Sequence, residues 1–181
     1  MWVYRSAAEN KAVVFDYQET RSGQSAKNFL HGFKGYLQTD GYKGYDWVNG
    51  IDDIIHLGCM THARRPFAEL VKMLKKTGKA HQALSYIQSL YAVEKQCREN
   101  NVTFDERKAI RLKESVPILD KLKAWLDKAI QGSPPQGKLG KGIKYMLDRW
   151  AELTNFLKDG RLEIDNNKVE NCIRPFAIGR K

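Results

Sequence analysis

Asp40 and Glu170 are the two acids whose positions in the sequence best suit them to chemistry. Asp40 closes the apolar run "GYLQTD" and is followed by Gly41, at the carboxyl end of a strand, where α/β sheets tend to hold ligands. Glu170 lies in "EIDNNKVENCIRPF", one turn into a helix that Asp165 or Asn166 can cap and that Pro175 should end. Each acid also has a plainer explanation. Asp40 can be the turn residue of a strand-to-helix connection, and Glu170 can complement a helix dipole. Together they are hard oxygen donors drawn from distant sequence, the donor type that divalent ions require. Two such ions about 4 Å apart activate the attacking oxygen and stabilise the leaving one in phosphodiester cleavage. That chemistry asks for a third carboxylate, expected on a strand upstream of "MWVYR".

A second group follows in "HLGCMTHARR", where His56, Cys59 and His62 stand at three-residue intervals. Zinc is a poor reading, because a structural site takes four ligands and no second Cys/His pair follows at the usual spacing. Cys59 and His62 instead mark a strand-to-helix junction, with Arg64 and Arg65 in the first turn beyond. Guanidinium groups there suit phosphate contacts, and they oppose the helix dipole, so an anion should lie near. His62 reads either as a phosphate-handling residue or as a histidine bonding the junction itself.

The elements that must position these residues come in two kinds. Short β-branched and aromatic runs, "MWVYR" and "AVVFDY", joined by "SAAENK", predict a hairpin. Ser22 or Ser25 can cap a helix with Phe29, Leu30 and Phe33 on one face. "GYLQTD" and "DIIHLGC" are two more strands, joined by "GYKGYDWVNG". Beyond Cys59 the apolar period becomes helical: Ala63, Phe67 and Leu70; Ala83, Leu84, Ile87 and Leu90; Ile118, Leu122 and Trp125; Ile143, Met146 and Leu153. Thr103 and Glu106 form a capping-box pattern, Pro117 restarts a helix, and "GSPPQGKLGKG" resembles a linker. A mixed sheet covered by helices is the expected fold class.

The 181 residues suffice for a sizeable core. No apolar run approaches the roughly 20 residues of a membrane span. Three scattered cysteines suggest no disulfide framework and a reducing compartment. Of the net charge of +10, only +1 falls within residues 1–50. The helical remainder is therefore basic, which suits either a polyanion partner or a solvated lysine-rich surface.

"YLQTDGYKGY", "GCMTHARRPFAEL", "LKDGRLEIDNNKVENCIRPFAIGRK" and the hairpin "MWVYRS…AVVFDY" together resemble the catalytic domain of the insertion-sequence-66 family of bacterial transposases, over essentially the whole chain. The resemblance implies a ribonuclease-H-like α/β fold with an Asp-Asp-Glu triad and a large helical insertion. It divides the chain into a partial core (1–62), the insertion (63–135) and C-terminal helices (136–181). Asp40 corresponds to the second acid and Glu170 to the third; Cys59 and His62 match a Cys-x-x-His signature. His62, Arg64, Arg65, Arg174, Arg180 and Lys181 would handle DNA. The first acid belongs on a strand preceding "WVYR", so the chain resembles a fragment; Asp16, on a different strand, is a poor substitute. The resemblance further implies Mg²⁺ or Mn²⁺ at a two-metal site. Its partners would be DNA (element ends and target), other transposase protomers and accessory proteins of the element, in a bacterial cytoplasm near the nucleoid. A non-catalytic DNA-binding remnant and a ribonuclease-H-like nuclease are the rival readings.

Overall fold

The computed structural model describes residues 1–7, 12–74 and 78–178. β1 (Trp2–Arg5) and β2 (Val13–Asp16) pair antiparallel, with Trp2 opposite Asp16 and Arg5 opposite Val13. A short helix α1 (Gly23–Phe29) follows, its first turn capped by the Ser22 hydroxyl, which accepts from the Gln24 N–H. β3 (Gly35–Gln38) and β4 (Ile54–Leu57) then pair in parallel, joined by a 3₁₀ helix over Lys43–Gly50.

The strand positions match the sequence pattern, but the expected continuous mixed sheet is not formed. The described strands make two separate two-stranded sheets, one antiparallel and one parallel. Side chains rather than a hydrogen-bond ladder join them. Trp2 of β1 meets the rings of Tyr42 and Tyr45 beside β3 at 5.9 and 5.5 Å. The apolar face expected of α1 is also corrected. Leu30 is buried, whereas Phe29 and Phe33 stay largely exposed. Phe29 is instead stacked on Tyr4, ring centroids 3.8 Å apart.

The helices are α2 (Met60–Leu74), α3 (Lys79–Glu99), α4 (Phe104–Ile110), α5 (Val116–Gln131), α6 (Lys138–Asp148), α7 (Trp150–Thr154) and α8 (Asn167–Ile178). Thr103 and Glu106 close both halves of the capping box at the start of α4. α5 begins at Val116 with Pro117 in its first turn, as expected, but the proline does not mark a break, because a π-helical stretch over Arg111–Ser115 carries α4 directly into α5. Proline is tolerated at that point because the wider turn already breaks the regular ladder. Nor does Pro175 end α8, whose backbone continues to Ile178.

One apolar core runs through the helices and reaches the end of β4. Leu57 and Met60 at the β4–α2 junction pack with Phe67, Ile87, Leu122, Leu126, Ile143 and Met146, and with Phe156 and Ile164 from the segment before α8. Each such side chain, once buried, contributes about 1.5–3 kcal/mol. The β4–α2 junction thereby ties the parallel strand pair to the helices, β1 also packs on α8, and the junction carries the candidate site.

Candidate functional site

Asp40 lies two residues past β3, and a chain of hydrogen bonds fixes its turn. The Tyr42 N–H donates to Asp40 Oδ1 at 3.0 Å, the Asx-turn that the plainer reading of this residue expects. Gly41 holds φ at +79°, which an Asp-Gly step permits. Its N–H donates to the Thr39 hydroxyl at 3.4 Å, and that hydroxyl lies 2.8 Å from His56 Nε2. On the other side of the ring, Nδ1 is 2.7 Å from Asn49 Oδ1, and Asn49 Nδ2 donates to Glu152 at 2.9 Å. An amide oxygen only accepts, so Nδ1 carries the proton and Nε2 accepts from Thr39. Burial, outweighing the nearby Glu152 carboxylate, pushes the His56 pKa down and favours this neutral ring.

Glu170 is placed by contacts of a different kind. The segment before α8 is stitched to the β4–α2 junction: the Met60 N–H donates to Ile164 O at 3.1 Å, and the Asn166 N–H reaches Cys59 Sγ at 3.5 Å. Asp165 accepts from the hydroxyls of Tyr91 (2.8 Å) and Thr61 (3.2 Å) and from the Asn167 N–H (3.1 Å). Cys59 is fully buried, so this thiol belongs to the packing, and burial raises its pKa. His62, one turn further, places Nε2 3.6 Å from Glu170 Oε1. The Cys-x-x-His spacing therefore has a physical reason: its first residue docks the chain ahead of α8, and its last meets the acid on α8.

The loop ahead of that segment is held from within by charges. Glu94 of α3 and Arg111 are fully buried, with Arg107 nearly so. Both arginines pair with the Glu94 carboxylate. Burial alone would raise the Glu94 pKa, but hydrogen bonds and charge from Arg111 and Arg107 hold it below the usual range. The remaining guanidinium N–H groups donate to carbonyls of the loop: Arg111 to Phe156, Asp159 and Leu162, and Arg107 to Gly160.

His62 also lines a concavity of about 460 Å³ together with Asp40 and Arg65. Arg65 Nη2 is 3.4 Å from His62 Nε2. Arg64 and Arg174 are exposed, and neither lines this concavity. Arg180 and Lys181 lie outside the described residues. The sequence reading overlooked the Thr39–His56–Asn49–Glu152 relay and the Glu94–Arg107–Arg111 cluster. The i,i+4 spacing of Arg107 and Arg111 places both on one helix face, but it could not reveal that the face is buried.

Asp40 and Glu170 are the right donors for a hard divalent cation, but among the described residues no three His, Cys, Asp or Glu side chains gather as a metal cluster. The donors present do not by themselves make a site for two ions.

The model of the Transposase IS66 family matches residues 1–181. The chain belongs to that family. It is 33% identical over 176 residues to the uncharacterized protein y4jD of Sinorhizobium fredii, an overlap of 94% of this chain and 34% of the relative. It is 31% identical over 185 residues to the uncharacterized protein y4hP of the same organism, covering 94% and 33%. This IS66-family chain thus spans about a third of the length of the curated relatives it matches. No solved structure matches it. No helix among the described residues is long and apolar enough to cross a membrane.

Proposed function

We propose that the chain is part of the catalytic domain of a DNA transposase of the Asp-Asp-Glu type, contributing Asp40 and Glu170 as two of its acids. The supporting observation is His62, which borders the Asp40 concavity and meets Glu170 at 3.6 Å although the two acids are far apart in sequence. In this reading the fold is ribonuclease-H-like, and the parallel and antiparallel strand pairs are two parts of its sheet. Asp40 and Glu170 would share a divalent ion with a further carboxylate, and the ion would supply positive charge to the scissile phosphate. The chain's own residues do the rest. The Tyr42 N–H and the Thr39–His56 relay keep the Asp40 carboxylate in its turn, while Arg65 brings a guanidinium to the same concavity and is in contact with His62. DNA, other protomers and the element's accessory proteins are the proposed partners, in the bacterial cytoplasm.

A second reading, a DNA-binding segment without turnover, is favoured by the lack of a three-donor cluster among the described residues. One experiment addresses both. The purified chain is mixed with supercoiled DNA and Mn²⁺, and DNA binding, Mn²⁺ binding and nicking are followed. DNA binding that weakens with salt is expected, with Mn²⁺ binding that Asp40→Asn and Glu170→Gln each weaken, and with no nicking. Mn²⁺ binding unaffected by either substitution would overturn the assignment of the acids. Nicking that disappears in Asp40→Asn would show that the chain carries its own full set.

A further inference from the structure

The concavity beside Asp40 is built by more than the acid and its histidine. Arg21 comes from the turn before α1, Arg65 from α2, and Lys141 and Tyr145 from α6. Lys141 and Tyr145 are four residues apart and therefore neighbours on one helix face. The close packing of α6 on α2 keeps them at the rim: a Cβ on Gly142 would stand 3.1 Å from Pro66 Cβ and 3.4 Å from the Phe67 ring.

The charges in this wall are left open. Some surface lysines are neutralised locally, as in Lys123–Asp127, Lys144–Asp148 and Lys34–Asp53, while others, such as Lys121 and Lys128, are unpaired among the described residues. What sets this wall apart is that its cations line one concavity. Arg21, Arg65 and Lys141 have no carboxylate within ion-pair distance among the described residues, although Asp40 and Glu69 line the same concavity. Arg21 is braced instead over the Tyr42 ring, 5.0 Å from its centroid, and the Tyr42 hydroxyl donates to the Arg21 carbonyl at 2.6 Å. Tyr145 adds an uncharged donor. A Cβ on Gly41 would lie 2.1 Å from the Tyr145 hydroxyl oxygen, so only glycine lets that hydroxyl approach the backbone next to Asp40. The hydroxyl makes no hydrogen bond within the described residues. Three open cations and a free phenol converging beside an acid form a receptor for a chain of phosphates.

We infer that this concavity is the groove for the sugar-phosphate backbone of the DNA strand flanking the reacting phosphate, with Arg21, Arg65 and Lys141 as charge contacts and the Tyr145 hydroxyl as donor to a non-bridging phosphate oxygen. This rests on the DNA reading above and extends it to residues outside the acid–histidine set. Arg21 and Lys141 are exposed, so their replacement leaves the core untouched.

The test is the anisotropy of a short fluorescein-labelled DNA duplex titrated with the full chain over a range of salt concentrations. Arg21→Gln with Lys141→Gln should lower the slope of log affinity against log salt by about 0.9 for each phosphate that the variant no longer neutralises. Tyr145→Phe should weaken binding about tenfold, as removal of a donor to a charged group does, without changing the slope. Lys141→Arg should bind as the parent does, and Lys128→Gln on α5, which does not line the concavity, should change the slope least. Circular dichroism confirms that each variant is folded. If the parent binds and the double variant keeps its slope, or if Lys128→Gln lowers it equally, the groove assignment is wrong while the DNA reading stands. If the parent does not bind the duplex at all, the DNA reading itself fails.

Discussion

His56 shows how much a single side chain decides here. In the sequence it belongs to an even-spaced His56–Cys59–His62 series, yet the fold gives the three residues unrelated tasks. His56 orders the Asp40 turn from behind, Cys59 is packing, and His62 faces Glu170. Because β4 alternates its side chains between faces, no spacing rule could separate these roles. The spacing did identify the junction; only tertiary contacts assign the partners. A pH effect follows. The folded chain holds His56 below its ordinary value of 6.5, so the unfolded chain binds the proton first as pH falls. The stabilisation from the neutral ring is thus complete above about pH 6.5 and is lost progressively below it. Urea midpoints measured between neutral and mildly acidic pH should fall in the parent. In His56→Gln the chain should be weaker at neutral pH, with a shallower fall in this window; an equally steep fall would place the titration elsewhere.

At the scale of elements, the fold depends on what α3, α4 and the π-helical stretch do for the loop before α8. The strands and the longer helices were legible because their apolar residues repeat with period two or 3.6. The continuity of α4 into α5 was not, since Pro117 suggests a break and a π-helical stretch leaves no apolar signature. The buried Glu94–Arg107–Arg111 cluster was likewise hidden, because charged residues at helical spacing usually mean a solvated face. Its energetics predict a clear result. Arg111→Met leaves Glu94 short of one partner and the carbonyls of Phe156, Asp159 and Leu162 without their donor. Removing one member of a buried ion pair costs about 3–5 kcal/mol, to be read as a lowered urea midpoint. Gly160→Ala tests the same loop from the other side. A Cβ there would stand 1.8 Å from the Phe104 carbonyl oxygen, and such overpacking costs about 1–3 kcal/mol. A Gly160→Ala chain as stable as the parent would show that the loop can move away from α4.

Across the whole molecule, the residues of the candidate site come from nearly the full length of the chain, and its order in sequence is not its order in space. The single apolar core was foreseeable from the helical periodicities. The separation of the strands into two sheets was not, because period-two patterns do not say which strands are neighbours. The loop held by Arg107 and Arg111 also bears on how the chain finds its fold. Closing Cys59 onto Asn166 directly joins residues 107 apart, whereas Tyr91 meets Asp165 across 74 and Arg111 meets Leu162 across 51. The entropy lost in closing a flexible loop grows with the logarithm of its length, about 0.6 kcal/mol for each doubling. The contacts can therefore form in stages, the shortest closure first, each one bringing the ends of the next nearer. The helices between the two acids are thus more than a spacer in the chain: they are the ladder of intermediate closures by which its distant ends can meet.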